Sequence, residues 1–593
     1  MLHSTVKRWA MLLIALALVL VAAAACAQQP APAAPAAQAP AAATQAPAAA
    51  APTQAPAAAP KATEAPKAAA PTSAPAAPTA AAKAAAPAGT GNQLVVGIAH
   101  DLTTLDPARG YEIAGGLAHK AIYDTLVTTA PDDITKIVPS LAEKWEISPD
   151  GKTYTFHLKP GVKFSSGNPL TADDVKWSYD RVKGIQGNPS FLFSTIKSVD
   201  AKDPNTVVIT LDSPDPALLA KMTFMAYAVL DSKTVQAQGG VTGADAKAND
   251  KAQQWLDQHS AGTGPFVLKS WTKDNEITVE KNPNYWGTPS KLDRVIYKNL
   301  PQSASQKLAL EGGDIDIALE LNADQTKALG SNSNVKVVQG PTTDIFFLLA
   351  NKNKDLSPKG VMADPKVVQA VELALDRDAF KDLSGTKSGV PPTIVGLGFL
   401  GSWDESKTPK RDVAKAKQLL ADAGYPNGFE IDMEYPTKFN RDGLDWDTMA
   451  QKVQSDLAEA GIKVNLKPGD LQTVLANYRA GKEGFSLWQW GADFPDTNDR
   501  IAFLPEGIVG KRAGWTNATS DDKIQKLRDQ AAIETDPAKR VQVWNDIQQY
   551  LVDNSPFIPL IQPNRAVAVS NKVNGYTFNN QFLVQPLLLS KQQ

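Results

Sequence analysis

The sequence predicts an α/β protein with more than one hydrophobic core. Short, bulky apolar runs such as residues 94–98 alternate along the chain with segments of helical periodicity, a pattern that indicates α/β folds. The chain has 593 residues, and the part after the first ~90 is too long for one core. We therefore expect buried strands, amphipathic helices and at least two lobes.

The N-terminal segment predicts export from the cytoplasm. Lys7 and Arg8 precede an uncharged, mostly aliphatic run over residues 9–25. A basic start, an apolar run and small residues before a cut site make up a secretory signal. The run is a little shorter than the ~20 residues of a spanning helix. We predict a signal peptide over residues 1–25, with an N-terminal anchor helix as the weaker alternative.

Residues 26–92 predict a disordered tether. They are nearly all Ala, Pro, Gln and Thr, so they bury too little apolar surface to fold, and the recurrent proline interrupts helices. In polyproline II form, at ~3.1 Å per residue, the tether would reach on the order of 200 Å. A stalk through a cell-wall layer and a simple spacer both fit this composition. Either one leaves the folded domain, residues 93–593, outside the membrane.

Charge and cysteine content exclude several classes of protein. The formal net charge is −2, from 60 basic and 62 acidic residues, which gives no basic surface for nucleic acid. No second apolar run approaches spanning length, so the sequence does not indicate a membrane channel. Cys26 is the only cysteine, which excludes internal disulfides and cysteine-based metal or redox sites.

Local signals fix two elements in the first half of the folded part. Apolar residues alternate on both sides of "SPDGK" (residues 148–152), which predicts a hairpin with Asp150 and Gly151 in the turn. Thr171 and Asp174 form a capping box, which predicts a helix that begins there.

Two more elements are predicted in the second half. Asp364 followed by Pro365 predicts the cap and first turn of a helix. Gly461 separates a helical pattern from an alternating one, which predicts a helix that stops and a strand that follows.

No motif for catalysis or metal binding is present. None of the histidines lies in a metal-ligand spacing, and no G-x-S-x-G nucleophile turn occurs. "GIVGKR" (residues 507–512) lacks the first glycine and the hydroxyl residue of a phosphate loop, so we do not interpret it as one. Asp314 and Asp316 alternate with apolar residues and fit a strand with its polar side outward. The sequence predicts a protein that is not an enzyme and that needs no metal or cofactor.

Four stretches resemble one protein family. They are "LTTLDPARG", "PSLAEKWEISPDGKTYTFHLKPGVKFSSGNPLTADDVKWSYDRV", "GTGPFVLKSWTKDNEITVEKNPNYWG" and "WQWGADFPDTND". They are similar to the extracytoplasmic solute-binding proteins of ABC importers, family 5, the dipeptide- and oligopeptide-binding group. The resemblance runs from about residue 93 to the C-terminus, in the family's order.

The resemblance implies a two-lobed periplasmic-binding-protein-like fold, type II and cluster C-like, with an extra domain on the first lobe. The lobes would close on a ligand between them, with crossing strands as hinges. The expected divisions are a first lobe of about 93–137, 262–341 and 553–593, an extra domain of about 138–261, and a second lobe of about 342–552.

The same resemblance implies a role in transport. The protein would be a monomer that captures peptides or another small solute and delivers them to the permease of an importer, whose separate ATPase subunit hydrolyses ATP. Residues 23–26 resemble a lipobox, although Ala23 stands where the family has leucine. Cys26 would then carry a lipid anchor on the outer face of the cell membrane, in the periplasm if an outer membrane exists. A signal cut nearby, with an incidental cysteine, is the alternative.

The resemblance also implies a ligand site. Asp493 matches the aspartate that pairs with the α-ammonium of a peptide, and a buried ammonium needs such a carboxylate. Gln489 and Gly491 match positions of backbone contact with an extended ligand. Tyr111 and Ile113 lie in the segment expected to supply a facing strand from the first lobe. The alternative role for Asp493 is to cap a turn before Pro495.

Aromatic residues leave two interpretations open. Trp488 and Trp490 share one face of a strand. The sequence favours neither of two roles for them, as walls of the pocket or as part of the core. Phe224 and Tyr227 would line side-chain pockets, or more simply belong to the core of the extra domain. By motif, no arginine is assigned to a ligand carboxylate, and Arg377 in "ALDRDAF" fits the scaffold.

The substrate remains open between several classes. The family's scaffold motifs are shared by binders of oligosaccharides, nickel complexes and opines. A surface lipoprotein that acts as a sensor or chaperone without transport is a further alternative.

Overall fold

The computed structural model describes residues 92–111, 113–385 and 387–592. The predictions for the signal peptide, for lipidation at Cys26 and for the tether up to residue 91 lie outside these residues. Within them the protein is a mixed α/β structure with three principal sheets, which confirms the predicted class.

The first sheet has seven strands. Its central strand, Gln93–Ile98, pairs in parallel with both of its neighbours and buries Leu94 and Val96 completely. In spatial order the strands are Val335–Pro341, Asn564–Ser570, Ile317–Ala318, Gln93–Ile98, Arg294–Asn299, Glu276–Lys281 and Phe266–Thr272. Helices beside it are Ile113–Ile122, Ser303–Gly312 and Ala323–Leu329.

The second sheet has five strands and the largest core. Every residue of the strand Ile345–Ala350 is buried, as expected for a strand inside a sheet that is covered on both faces. In spatial order the strands are Ile462–Gly469, Phe429–Pro436, Phe485–Trp490, Ile345–Ala350 and Phe557–Ile561. The helices of this half are Pro365–Ala374, Arg377–Ser384, Val413–Asp422, Trp446–Glu459, Leu471–Arg479, Ile508–Arg512, Asp522–Ile533 and Pro537–Asn554.

The third sheet lies within the segment expected for the extra domain. Its strands are Ala142–Ile147, Thr153–Leu158, Thr206–Leu211 and Ile196–Asp203. The helices of this segment are Ala172–Ile185, Leu218–Lys221, Ser232–Ala237, Ala246–Asn249 and Gln253–Leu256. We propose that residues 138–261 form the extra domain.

Three two-stranded ladders and several single turns complete the described chain. The ladders pair Val127–Thr129 with Ile137–Pro139, Asn440–Arg441 with Leu444–Asp445, and Val573–Asn574 with Ser590–Lys591. The 3₁₀ turns are Asn188–Phe193, Met225–Tyr227, Lys354–Leu356, Pro358–Ala363, Glu405–Lys407, Thr497–Phe503, Asn517–Thr519 and Pro586–Leu588.

The chain passes twice between the first and second sheets. One crossing lies at residues 342–344 and the other at residues 562–563. The Gln562 side chain donates to the Thr342 carbonyl at 2.8 Å and so ties the two crossings together. The expected boundary near 553 places the strand Phe557–Ile561 in the first lobe. In the structure this strand pairs with Ile345–Ala350 in the second sheet. All five of its residues are buried, so the sequence carries no sign of which sheet it joins.

The local sequence signals are confirmed. The Thr171 backbone N–H donates to the Asp174 carboxylate at 2.9 Å at the start of Ala172–Ile185. Asp364 accepts from the Lys366 N–H at 2.9 Å at the start of the next predicted helix. Gly461 has a φ of +94°, which a glycine adopts without steric cost.

Candidate ligand-binding site

A cavity of about 1170 Å³ lies between the two lobes. It is larger than the ~300–1,000 Å³ typical of small-molecule sites. Both lobes and the extra domain line it, and its walls combine many aromatic rings with a few charged groups. From the first lobe and extra domain these include His100, Tyr111, Phe191, Phe224, Asn580 and Gln581; from the second lobe, Phe439, Arg441, Trp446, Tyr478, Trp488, Gln489, Trp490, Gly491, Asp493 and Arg512.

The strand Phe485–Trp490 brings two tryptophans to the cavity. Trp488 is nearly buried, stacks on Tyr478 with 4.3 Å between ring centroids, and donates its indole N–H to Glu483 at 2.6 Å. Trp490 is more exposed and meets Phe503 edge to face at 5.9 Å. Trp488 is therefore both core and wall, while Trp490 is chiefly wall.

Gly491 follows the strand at a close approach. A Cβ atom at this position would lie 2.1 Å from Asp344 Oδ1, so a larger residue would displace the crossing segment. The absence of a side chain lets the backbone turn from the strand into the loop that carries Asp493.

Asp493 joins the two lobes. The Tyr111 hydroxyl of the first lobe donates to Asp493 Oδ1 at 2.5 Å, and the Asp493 N–H donates to Asp499 Oδ1 at 2.8 Å. The next residue, Phe494, packs into the core that includes the extra domain, with the Lys221 ammonium 5.4 Å from its ring centroid. These contacts hold the lobes together, so the structure represents a closed arrangement.

The electrostatics around Asp493 favour a cation. Burial raises the pKa of Asp493 to about 8, and the charge of Asp499 raises it further, against the opposing effects of the Tyr111 hydrogen bond, Arg500 and Arg512. Burial also raises the pKa of Asp499 to about 6. The Arg500 guanidinium, whose own pKa is lowered by burial, lies 3.5 Å from Asp499 and makes no hydrogen bond to it. A positive group brought to Asp493 would complete this cluster.

The cavity unites most of the residues singled out in the sequence. Asp493, Gln489, Gly491, Trp488, Trp490 and Tyr111 all line it. Phe224 lines it as well, whereas Tyr227 is fully buried in the core and donates to the Leu192 carbonyl at 2.8 Å. Arg377 is a scaffold residue, paired with Glu372 at 3.1 Å.

One structural expectation is wrong. In the segment expected to supply a facing strand, residues 113 and 114 do not do so, because Ile113 is the first residue of the helix Ile113–Ile122. The apolar residues Leu117, Ala118, Ala121 and Ile122 are buried at helical spacing, and this pattern decides the local structure.

The sequence did not reveal several lining residues. No sequence motif assigns a ligand role to the following residues, which come from widely separated segments: Arg441, Arg512, Phe439, His100, Asn580 and Gln581. Only the fold brings them together.

The described part of the chain contains neither of two other kinds of site. None of its helices combines the length and apolarity needed to cross a membrane. In the same residues, no three His, Cys, Asp or Glu side chains are grouped so that they could hold a metal ion.

The two lobes, the extra domain and the enclosed cavity define a solute-binding protein. Residues 136–505 match the model for bacterial extracellular solute-binding proteins, family 5 (middle region). The chain belongs to this family, as its sequence motifs indicate.

Relatives in the family bind different solutes. The chain is 28% identical to the probable D,D-dipeptide-binding periplasmic protein DdpA of Escherichia coli, over 82% of this chain and 92% of that one. A structure of DppA from Helicobacter pylori with the peptide STSA has a TM-score of 0.70 and 26% identity, covering 85% and 98% of the two chains. A structure of AgaA from A. tumefaciens R10 with agropinic acid also has a TM-score of 0.70 and 26% identity, covering 84% and 99%.

Proposed function

We propose that this protein captures short peptides and delivers them to an ABC importer. The observation that carries the proposal is Asp493: a carboxyl in the interlobe cavity whose pKa is raised to about 8 by burial and by the charge of Asp499. The α-ammonium of a peptide is a group of matching charge and size. Relatives that bind a dipeptide and the peptide STSA support the peptide class.

Ligand capture follows from the position of Asp493. In the closed arrangement Tyr111 already occupies one of its oxygens, so an ammonium would join a preformed pair and bind both lobes through it. A ligand stabilises the closed state only by contacts that are better there than in the open state. Gln489 and Gly491 would supply main-chain bonds to an extended peptide, which gives affinity without reading side chains. Ile113 begins a helix beside Tyr111, and we propose that its segment contacts the same ligand.

The cellular setting is part of the proposal. The protein would be a monomer, without catalytic activity, held on the outer face of the cell membrane by a lipid on Cys26. The closed form would be the one presented to the permease and ATPase subunits. Stable anchoring takes more than one acyl chain, so a lipidated Cys26 would carry several.

A second candidate ligand is a non-peptide solute. The specific support is the relative that binds agropinic acid, which matches this chain as well as the peptide-binding structure does. An aromatic-walled cavity of about 1170 Å³ would accept either ligand.

The test is to identify the ligand that the protein carries. The protein is purified without denaturation, its ligand is released, and the ligand is identified by mass spectrometry. The proposal expects peptides from the wild type and none from Asp493→Ala. A thermal-shift assay checks the same pair, since ligand at ~100 times its dissociation constant adds ~2.7 kcal/mol of stability. Release of a sugar or a metal complex would overturn the peptide assignment.

A further inference from the structure

A buried glutamate lies directly behind the aromatic wall of the cavity. Glu483 is 2% exposed, although it stands in the short loop before the strand Phe485–Trp490. A carboxyl group is rarely buried this fully unless a neighbouring group satisfies it. Its Oε2 atom accepts the indole N–H of Trp488 at 2.6 Å, and Trp488 lines the cavity. The buried carboxyl therefore contacts a residue of the ligand-binding site.

Backbone contacts hold Glu483 in this position. The Asn351 side-chain amide donates to the Glu483 carbonyl at 2.8 Å. On the other side, Gly484 passes so close to the Leu356 carbonyl oxygen that a Cβ atom at Gly484 would overlap it. Asn351 and Leu356 both lie just after the buried strand Ile345–Ala350 of the second lobe. Glu483 is therefore fixed from the side of the core, and it can fix the indole in turn.

Packing sets the plane of the Trp488 ring but not its direction within that plane. Tyr478 stacks on the ring with 4.3 Å between centroids and 22° between planes, and Trp446 meets it edge to face at 6.0 Å. The χ2 torsion of tryptophan has a broad, roughly two-fold preference, so an indole can turn over while its plane is kept. The two arrangements put the six-membered ring on opposite sides. The hydrogen bond to Glu483 selects one of them.

A second glutamate faces the same contact. Glu434 pairs in register with Ser486, two residues before Trp488, so its side chain lies on the same face of the sheet. Burial raises the pKa of Glu483 to about 7, against the opposing hydrogen bonds from Trp488 and Ser486, and the charge of Glu434 adds to the rise. Burial likewise raises the pKa of Glu434 to about 7. An ionised Glu483 accepts the indole N–H more strongly than a neutral one, because charge-assisted hydrogen bonds are the stronger kind.

Other titratable groups surround the two glutamates. They come from the helix that covers this face, from the segment beyond it and from the neighbouring strands: Tyr478, Arg512 against the Tyr478 ring, and Asp432 and Lys467 beside Glu434.

We propose that Glu483 is a positioning residue for ligand selection, which orients the Trp488 indole and so fixes the shape of the aromatic wall. This deepens the proposed function and rests on it, because the wall would act on the side chains of a bound peptide. An aromatic side chain, whose ring would pack against the indole, is the ligand group most sensitive to this orientation. The competing explanation is that packing alone orients the indole and that Glu483 only satisfies a buried N–H group.

The indole N–H resonance of Trp488 tests the orientation without any ligand. Two-dimensional ¹H–¹⁵N spectra of the purified protein contain a signal from each tryptophan indole, and Trp488→Phe identifies the one that matters. We expect this signal to shift with pH around a midpoint near 7 in the wild type. In Glu483→Gln, which keeps an acceptor but cannot ionise, it should stay constant. In Glu483→Leu it should move toward the position of an unbonded indole.

A change at the neighbouring glutamate sharpens the test. Glu434→Gln should move the midpoint of the Trp488 signal to lower pH, because removal of a like charge favours the ionised form of Glu483.

Calorimetry then measures the effect on ligand selection. Trialanine is compared with the three peptides in which one alanine is replaced by phenylalanine. We expect the wild type to prefer one of the phenylalanine peptides, and Glu483→Leu to reduce that preference by about 10-fold, the effect of a buried donor that loses its acceptor. Glu483→Gln should retain most of the preference, since its side-chain oxygen accepts the same bond. Glu430→Leu, at an exposed glutamate of the same lobe, is the control and should retain all of it.

The outcomes separate the two proposals. An unchanged Trp488 signal in Glu483→Leu would show that packing alone orients the indole, and it would overturn this inference while leaving the peptide function intact. If Glu483→Leu does not fold, a Trp488 signal that titrates equally in the wild type and in Glu483→Gln would overturn the inference instead. Equal wild-type affinity for all four peptides, or a phenylalanine preference that survives in Glu483→Leu, would overturn the role in selection. Binding of none of the peptides would overturn the peptide function, and the Trp488 signal alone would then decide whether Glu483 orients the wall.

Discussion

Two buried clusters of aspartate and arginine in this protein have opposite electrostatics. In the scaffold cluster, Arg181 donates two bonds of 2.7 Å to Asp106 and bonds of 2.8 and 2.9 Å to Asp250. In the cleft cluster, the Asp493 backbone N–H donates to the Asp499 carboxylate, and the Arg500 guanidinium lies 3.5 Å from Asp499 without a hydrogen bond to either carboxylate. The residue types are the same, but only the first cluster is complete.

The pKa shifts follow this difference. Burial lowers the pKa of Arg181, but the charges of Asp106 and Asp250 outweigh burial and raise it. Burial raises the pKa of Asp250, but Arg181 outweighs burial and lowers it. At Asp493 burial wins and raises the pKa to about 8. We interpret the fully paired Asp106 and Asp250 as part of the scaffold and the incompletely paired Asp493 as a site for a cation.

The largest expected effect is on stability, from the scaffold cluster. Arg181→Met would remove four hydrogen bonds from two buried aspartates and leave them only the 3.4 Å contacts with Arg109, which should cost about 3–5 kcal/mol of unfolding free energy. Denaturant unfolding measures the loss. Arg294→Met, which breaks the partly exposed pair with Glu280, is the control and should cost less than about 1 kcal/mol. Similar losses in both variants would contradict the distinction between the clusters.

The second effect is on binding, from the cleft cluster. Asp493→Asn should weaken binding of an ammonium-bearing peptide by about 30-fold or more, because a buried charge pair is worth ~2–5 kcal/mol. The unliganded protein should be no less stable than the wild type, since the change removes an uncompensated buried carboxyl. Calorimetry and thermal unfolding measure the two quantities. Asp432→Asn, at an exposed carboxylate of the same lobe, is the control. A large loss of stability in Asp493→Asn would assign the residue to the scaffold.

The third effect is on the pH dependence of stability. Because the pKa of Asp493 in the folded protein is about 8, above the ordinary carboxyl value near 3.9, the folded state holds this proton more tightly than the unfolded chain. Its contribution is complete below the unfolded pKa and is lost as pH rises through about 8. The stability of Asp493→Asn relative to the wild type should therefore be more than about 1 kcal/mol greater at pH 8 than at pH 5. Parallel stability curves without ligand would contradict the raised pKa.

The smallest effect concerns closure without ligand. Tyr111→Phe removes the hydrogen bond from the first lobe to Asp493, worth about 0.5–1.5 kcal/mol. The ratio of closed to open molecules should fall by about 2- to 10-fold. Fluorescence energy transfer between labels on the two lobes measures it. An unchanged distribution would show that other contacts, such as that of Phe494, decide closure.

Local structure could be predicted from the sequence because its signals lie within a few residues. Thr171 with Asp174, and Asp364 with Pro365, satisfy the free N–H groups of a helix start by themselves. The sheet that contains the strand Phe557–Ile561 could not be predicted, because this strand pairs with Ile345–Ala350, about 200 positions away in the sequence.

The residues of the candidate site also divide into those that a local motif predicts and those that only the fold brings together. Asp493, Trp488 and Trp490 lie in one contiguous motif, and the cavity contains all three. Arg512 also lines the cavity, but the packing of distant segments brings it there, so its place in the site appears only in the folded structure.

The proton balance of binding is the most direct measurement on Asp493. Calorimetry at pH 7 in buffers of different ionisation enthalpy gives the number of protons released when the tightest-binding free-acid peptide binds. With a pKa of about 8, the empty site is mostly protonated and must lose its proton to pair with an ammonium. We expect release of close to one proton by the wild type and none by Asp493→Asn. Tight binding by the wild type without proton release would contradict the assignment of Asp493 as the ammonium site.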